Sequence, residues 1–231
     1  MTRTPGPEVA TGHRPWARPV VLRDGQPVLI RQVQPADAAL LADGFARLSV
    51  RSRRSRFLIA KNHLSPSELR YFTDVDHHDH EALGAVSLAD GSGVGVARYI
   101  RHPHDPQAAE IAVTVVDSWQ GRGLGTQLVA QLTERARQEG IHRFSALVSA
   151  DNAAVLALLR NPDLGTCVAE PDGDIVELEI TLAAPRCALC GRPPGPTESV
   201  AGPHERRWIC DACIRANVPR VEAELDHLWW Q

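Results

Sequence analysis

Residues 110–126, EIAVTVVDSWQGRGLGT, constrain the fold of this chain more than any other stretch. They read as a buried strand, a sharp glycine-rich turn and the start of a helix. Such a turn leaves successive backbone amides unpaired and aims them, with the positive end of the helix dipole, at one point. That point suits an anion such as a phosphate. Spacing excludes two common loops of this kind. A Walker loop needs Gly-Lys-Ser or Gly-Lys-Thr after four intervening residues, and this turn has no lysine. A dinucleotide fingerprint needs a third glycine where Thr126 stands, inside a βαβ unit, whereas the segment before this turn is a meander of strands.

The rest of the chain is read outward from that turn. A strand over 28–33 is followed by Pro35, Ala36 and Asp37, which open an amphipathic helix through Leu40, Leu41, Phe45 and Leu48. A second helix starts at Ser65, with Pro66 at its first position and Glu68 completing a capping box. Strands over 81–88, 94–100 and 109–117 are separated by the turn Asp90-Gly91-Ser92-Gly93 and a loop over 102–106. After the glycine turn, Leu124, Leu128, Val129, Leu132 and Ala136 line one face of a helix that ends at Gly140. A strand over 144–149, a short helix over 152–160, and a hairpin turning at Pro171-Asp172-Gly173 into a strand over 175–182 complete the pattern. The expected fold class is α/β in the α+β sense, a mixed and mostly antiparallel sheet flanked by helices. The expected division is a disordered leader over 1–19, a folded domain over 20–183 and a small tail over 184–231.

A formal net charge of -3 and a pI near 6.4 speak against nucleic acid and against a membrane surface, since both usually call for a basic excess. No run approaches the roughly 18 apolar residues of a spanning helix, so a cytoplasmic protein is expected. In that reducing setting paired cysteines point to metal. Cys187 and Cys190 form one CxxC pair and Cys210 and Cys213 another, across a span rich in glycine and proline. Four thiolates select zinc, and a closed four-ligand site makes that zinc structural. Cys167 lies outside the pattern and reads as a buried thiol. A helix beyond Pro219, with Val221, Leu225, Leu228 and Trp229 on one side, is expected to dock on the domain, on a second copy as a homodimer, or on a protein partner.

Two polar runs invite stronger readings than they sustain. Asp74-Val75-Asp76-His77-His78-Asp79-His80 reads as a polar loop entering a strand, because consecutive residues of an extended segment point to opposite sides. Arg51, Arg53, Arg54 and Arg56 read as a solvated helix face, with a preference for an acidic acceptor as the alternative.

The turn Gln120-Gly121-Arg122-Gly123-Leu124-Gly125 resembles the acyl-CoA motif of the Gcn5-related N-acetyltransferases (GNAT), Gln/Arg-x-x-Gly-x-Gly/Ala, and the order of elements is similar to that family's over about 20–182. Within it, LRDGQPVLIRQVQPAD, RLSVRSRRSRF, DSWQGRGLG and the pair Asp151-Asn152 look like the bacterial protein-lysine acetyltransferase branch. The resemblance implies acetyl-CoA as cosubstrate and a primary amine, in this branch a protein lysine, as acceptor. It implies that Gln120, Gly121, Arg122, Gly123, Leu124, Gly125 and Thr126 form the pyrophosphate loop. Val113 and Val115 would pair with the pantetheine arm, and an amide near Val115 would hold the oxyanion. For Asn152 a contact to that arm and a plain helix cap both stand open. A lysine with a pKa near 10.4 is almost wholly protonated at pH 7, so a base is required. Glu110 begins the strand that leads to the glycine turn, and the resemblance implies it, partly desolvated, as that base, with a solvated strand-end carboxylate as the alternative. The chain departs from the family in two ways: the helix over 152–160 has no tyrosine to act as acid, and Asn161-Pro162-Asp163-Leu164-Gly165 replaces the usual glycine and aromatic. A non-catalytic acyl-CoA sensor or zinc-ribbon interaction module is the rival expectation.

Overall fold

The computed structural model describes residues 16–184 and residues 212, 213, 215 and 216. In chain order the elements are β1 (Ala17–Val21), β2 (Pro27–Gln32), a 3-10 turn (Pro35–Asp37), α1 (Ala38–Ala46), α2 (Val50–Phe57), α3 (Pro66–Thr73), β3 (His80–Ser87), β4 (Gly93–His102), β5 (Asp105–Val115), a second 3-10 turn (Asp117–Trp119), α4 (Leu124–Gln138), β6 (Arg143–Ser149), α5 (Ala153–Leu159), β7 (Gly165–Asp172) and β8 (Ile175–Leu182). The eight strands form one sheet in the order β1-β2-β3-β4-β5-β6-β8-β7. Every pairing is antiparallel except that of β5 with β6. The mixed, mostly antiparallel sheet expected from the sequence is therefore present.

α4 lies on the sheet because its apolar stripe repeats at helical spacing. Leu124, Leu128, Leu132 and Ala136 are buried against Leu83, Val94, Ala97 and Phe144. Close approach is set at Gly95, where a Cβ would come within 3.1 Å of Leu128 Cδ1. Helices α1 and α3 pack together, and α1 also reaches β4. α3 starts as expected: Ser65 accepts from the Glu68 amide at 3.3 Å, and Glu68 accepts from the Ser65 amide at 2.9 Å.

Three features depart from the sequence reading. The first strand begins at Ala17, inside the stretch expected to be leader, and is tied down by a two-pronged contact of Arg18 with Glu134 (2.5 and 2.7 Å). The arginine run forms its own helix, α2, because Ser49 caps it at Ser52 N (3.1 Å) and Leu58 ends it at φ 57°. Cys167, read as buried, is half-buried on the edge strand β7. The histidine run is a polar loop: Asp76 Oδ1 accepts the amides of His78, Asp79 and His80 at 2.8, 2.8 and 2.9 Å. Its His77 belongs to a buried cluster instead of a metal site. Glu81, wholly buried, accepts from Arg135 Nε (2.9 Å) and Gln32 Nε2 (3.0 Å) and meets His77 Nδ1 at 2.7 Å. No helix among the described residues is long and apolar enough to cross a membrane.

Candidate active site

β5 and β6 pair at only three positions, Ala108 with Arg143, Ala109 with Phe144 and Glu110 with Ser145. Beyond Glu110, β5 stays on β4 as far as Val115 and β6 stays on β8 as far as Ser149. The two strands therefore diverge, and one edge of β5 is left without a strand partner among the described residues. The Val116 amide donates to Val94 O at 3.0 Å, toward β4. Because successive residues alternate, the amides and carbonyls of Val113 and Val115 point the other way, into the gap. Val115 O confirms that direction by accepting from Gln120 Nε2 at 3.0 Å. The gap widens into a cleft of about 750 Å³ lined by both strands, the glycine turn and α5.

The glycine turn sits at the wide end. Gly121 (φ 74°) and Gly123 (φ 88°) are left-handed, and a Cβ at Gly123 would stand 3.3 Å from Arg23 Nε. The amides of Gly121, Arg122 and Gly123 have no acceptor among the described residues. Those of Leu124, Gly125 and Thr126 open α4, and a helix leaves its first amides unpaired. The side chains divide differently. Leu124 is core, and Arg122 turns away to Asp24 (2.8 Å) and the Trp119 ring (5.0 Å). Only their backbone is available to a ligand. Arg23, held by its amide on Arg122 O at 3.2 Å, lines the cleft beside the turn. Nothing in the local pattern of LRDGQ singles it out, because its place depends on the contact with the glycine turn 99 positions on.

α2 spans the mouth of the cleft. Asp117 Oδ2 accepts the Ser49 amide (2.9 Å), and Oδ1 accepts the hydroxyls of Ser49 (2.7 Å) and Ser52 (2.8 Å). Partial burial pushes the Asp117 carboxyl up, but these bonds bring it below the ordinary carboxylate range. Arg51 donates to Asp151 O at 3.2 Å, tying α2 to the turn after β6. Ser49→Ala removes both the helix cap and one Asp117 contact. The expected outcome is a loss of about 1 kcal/mol in urea unfolding, and an unchanged midpoint would sever α2 from the glycine turn.

Glu110 lies mid-strand, five residues after β5 begins, at the point where β6 departs. Its side chain is exposed on the cleft wall, so the expected desolvation is not present in the open cleft. Its charge is felt by Arg56 of α2. Asn152 caps α5, its Oδ1 accepting from Val155 N at 3.3 Å, and also lines the cleft. The helix-cap reading is present in the structure, and the side-chain amide nitrogen remains for a ligand. The two tyrosines of the chain lie elsewhere: Tyr99 is buried with its hydroxyl on His78 O (3.0 Å), and Tyr71 stacks near His80. Cys187, Cys190 and Cys210 lie outside the described residues. Cys213 is half-buried, and no metal-holding group of side chains occurs among the described residues. The helix expected beyond Pro219 also lies outside the described residues.

Residues 49–165 match the model of a family described as the acetyltransferase (GNAT) family. Over 161 residues the chain is 32% identical to acetyltransferase Pat of Mycolicibacterium smegmatis, covering 67% of this chain and 48% of that protein. Over 157 residues it is 34% identical to acetyltransferase PA5475 of Pseudomonas aeruginosa, covering 64% and 84%. The crystal structure of the GNAT domain of S. lividans PAT superposes with a TM-score of 0.66 at 28% identity, covering 72% of this chain and 97% of that one. The chain thus spans about half the length of the mycobacterial relative.

Proposed function

This chain belongs to the acetyltransferase (GNAT) family, and we propose that it moves an acetyl group from acetyl-CoA to a primary amine, a protein lysine first. The departure of β6 from β5 beyond Glu110 carries the reading. It exposes a strand edge of backbone donors and acceptors that ends on unpaired amides, which suits a pantetheine arm running to a pyrophosphate. The amides of residues 121–126, with Arg23 beside them, bind and orient the pyrophosphate. Val113 and Val115 pair with the arm, and Asn152 reaches it from α5.

Glu110 takes the proton of the incoming ammonium, directly or through one water. At roughly 3.3 Å per residue, Val113 lies about 10 Å along β5 from Glu110 and Val115 about 17 Å. The Val113 amide is therefore the donor suited to the tetrahedral oxyanion, and Val115 serves the arm. With no tyrosine at the cleft, the CoA sulfur departs as thiolate. The lysine reading rests on the likeness to the Pat proteins, and a cytoplasmic setting fits it. The four thiols of Cys187, Cys190, Cys210 and Cys213 are proposed to hold one structural zinc that supplies folding energy to the tail.

Native mass spectrometry of the full chain, with and without acetyl-CoA, tests both parts. The expected result is one zinc in every state and one further ligand mass with acetyl-CoA. No ligand mass at saturating acetyl-CoA would overturn the acetyltransferase reading, and a zinc-free mass would overturn the tail.

A further inference from the structure

A second cavity, of about 90 Å³, lies between helices α1 to α3 and the sheet. It shares Arg56, Phe57 and Thr114 with the acetyl-CoA cleft, so the two spaces adjoin at the end of α2, where Arg56 also feels the charge of Glu110. Its walls are largely apolar, with Val33, Leu41, Phe45, Leu48 and Phe72 among them. Three guanidinium groups, of Arg31, Arg56 and Arg98, line it against a single carboxylate, that of Asp37. Asp37 is already occupied: Arg31 grips both its oxygens at 2.7 Å.

Arg56 and Arg98 are left with no ion-pair partner among the described residues. Arg98 is only 4% exposed. It donates to His80 Nε2 (3.2 Å) and to Phe72 O (3.4 Å), and its guanidinium carbon sits 4.4 Å above the Phe72 ring. None of these is a counter-charge. Burial, and then the charge of Arg98, push His80 down to about 4, so at neutral pH the ring offers a lone pair and no charge. Burial and the neighbouring Arg56 push Arg98 down to about 9, which leaves it charged at pH 7. Arg98 is a buried cation with no counter-charge, and Arg56, half-buried on the rim, feels only the more distant charge of Glu110, so an anion between the two would offset a real cost in free energy.

We infer that Arg56 and Arg98 form a subsite for a carboxylate that the acceptor carries beside the amine to be acetylated. The inference rests on the acetyltransferase reading for the identity of the acceptor. The geometry fits an acceptor whose amine meets Glu110, whose carboxylate meets the guanidinium pair, and whose apolar part enters the cavity. Two sources present that chemistry: the α-carboxylate of a free amino acid, and an acidic residue flanking a lysine in a protein.

Product-like ligands test this without turnover. Calorimetry would compare N-acetyl-L-leucine with N-acetyl-L-leucinamide, and an acetyl-lysine peptide flanked by glutamates with one flanked by glutamines, each with CoA present and absent. In the unsubstituted protein one pair should favour the carboxylate form by about 10- to 100-fold. That preference should collapse in Arg56→Gln and in Arg98→Gln. Arg56, on the cavity rim, keeps the test decisive if the deeper substitution unfolds the chain. Preference within the leucine pair assigns a free amino acid, and preference within the peptide pair assigns an acidic flank. Equal affinity within both pairs, no binding of either carboxylate ligand, or a preference that survives Arg56→Gln overturns the subsite. Acetyl-CoA binding, read separately by native mass, shows whether the acetyltransferase reading fails with it.

Discussion

Glu110→Gln should lower kcat for acetyl transfer by about 100- to 10,000-fold, the span of a lost general base, while the affinity for acetyl-CoA stays within about twofold. The asymmetry follows from position. Glu110 stands at the closed end of the gap between β5 and β6, and the glycine turn that would hold the pyrophosphate is at the open end. An acceptor lysine with a pKa near 10.4 is neutral in about one molecule in 2,500 at pH 7. A protein that cannot take the proton must wait for that fraction. The deficit of Glu110→Gln should therefore shrink as pH is raised toward 10, because the solution supplies more free amine. A steady-state pH series with an acetyl-lysine readout decides it. Full activity in Glu110→Gln would move the base elsewhere. Acetyl-CoA binding without turnover in either protein would favour the sensor.

How much of this was legible in the sequence follows from the range of the interactions. The glycine turn, the strand before it and the helix after it are local, and their geometry follows from glycine, apolar spacing and capping. So does α3, whose capping box lies within four consecutive residues. β1 was not legible, because ARPVV has no alternation of apolar and polar residues. Its strand character comes from pairing with β2 and from Arg18 reaching Glu134, 116 positions away. α2, with its run of arginines, has no apolar stripe, so it reads as a solvated helix face and not as a helix of its own. It is helical because Ser49 caps it and Asp117, 68 positions on, anchors it.

The same limit hid half of the candidate site. Arg56 looked like its solvated neighbours Arg51 and Arg54. Only the closure of α2 over the sheet turns it inward beside Glu110. Arg98 sat inside an unremarkable strand, and no local pattern announces that it lacks a carboxylate. Val113 and Val115 were legible as strand residues, and their place at the cofactor only through the family resemblance. That their polar backbone groups are free to bind required knowing that β6 leaves β5 after three pairs.

The buried charge cluster beneath α4 was equally invisible, its members lying 49 and 54 positions apart, and it yields the largest expected effect on stability. Arg135→Met should destabilise the domain by about 3–5 kcal/mol, because it takes the guanidinium from the buried Glu81 carboxylate and leaves it only the His77 and Gln32 contacts. For a domain of this size that is on the order of 10 °C in Tm. Burial pushes the Glu81 carboxyl up, but the bonds from His77, Arg135 and Gln32 outweigh it and hold the group below its ordinary value. A carboxyl lowered on folding contributes its full stability above the unfolded value of about 4.3 and loses it as pH falls through the folded value. The unsubstituted domain should therefore lose stability below about pH 4.3, and that slope should flatten in Arg135→Met. Replacing both partners with apolar residues, Glu81→Leu with Arg135→Met, should recover much of the loss, since it is the unpaired charge and not the missing pair that costs most. Urea unfolding across pH 3 to 7 separates these terms. A single substitution within about 1 kcal/mol of the unsubstituted protein, or a double substitution no better than the single, would show that the cluster is wetter than its burial implies.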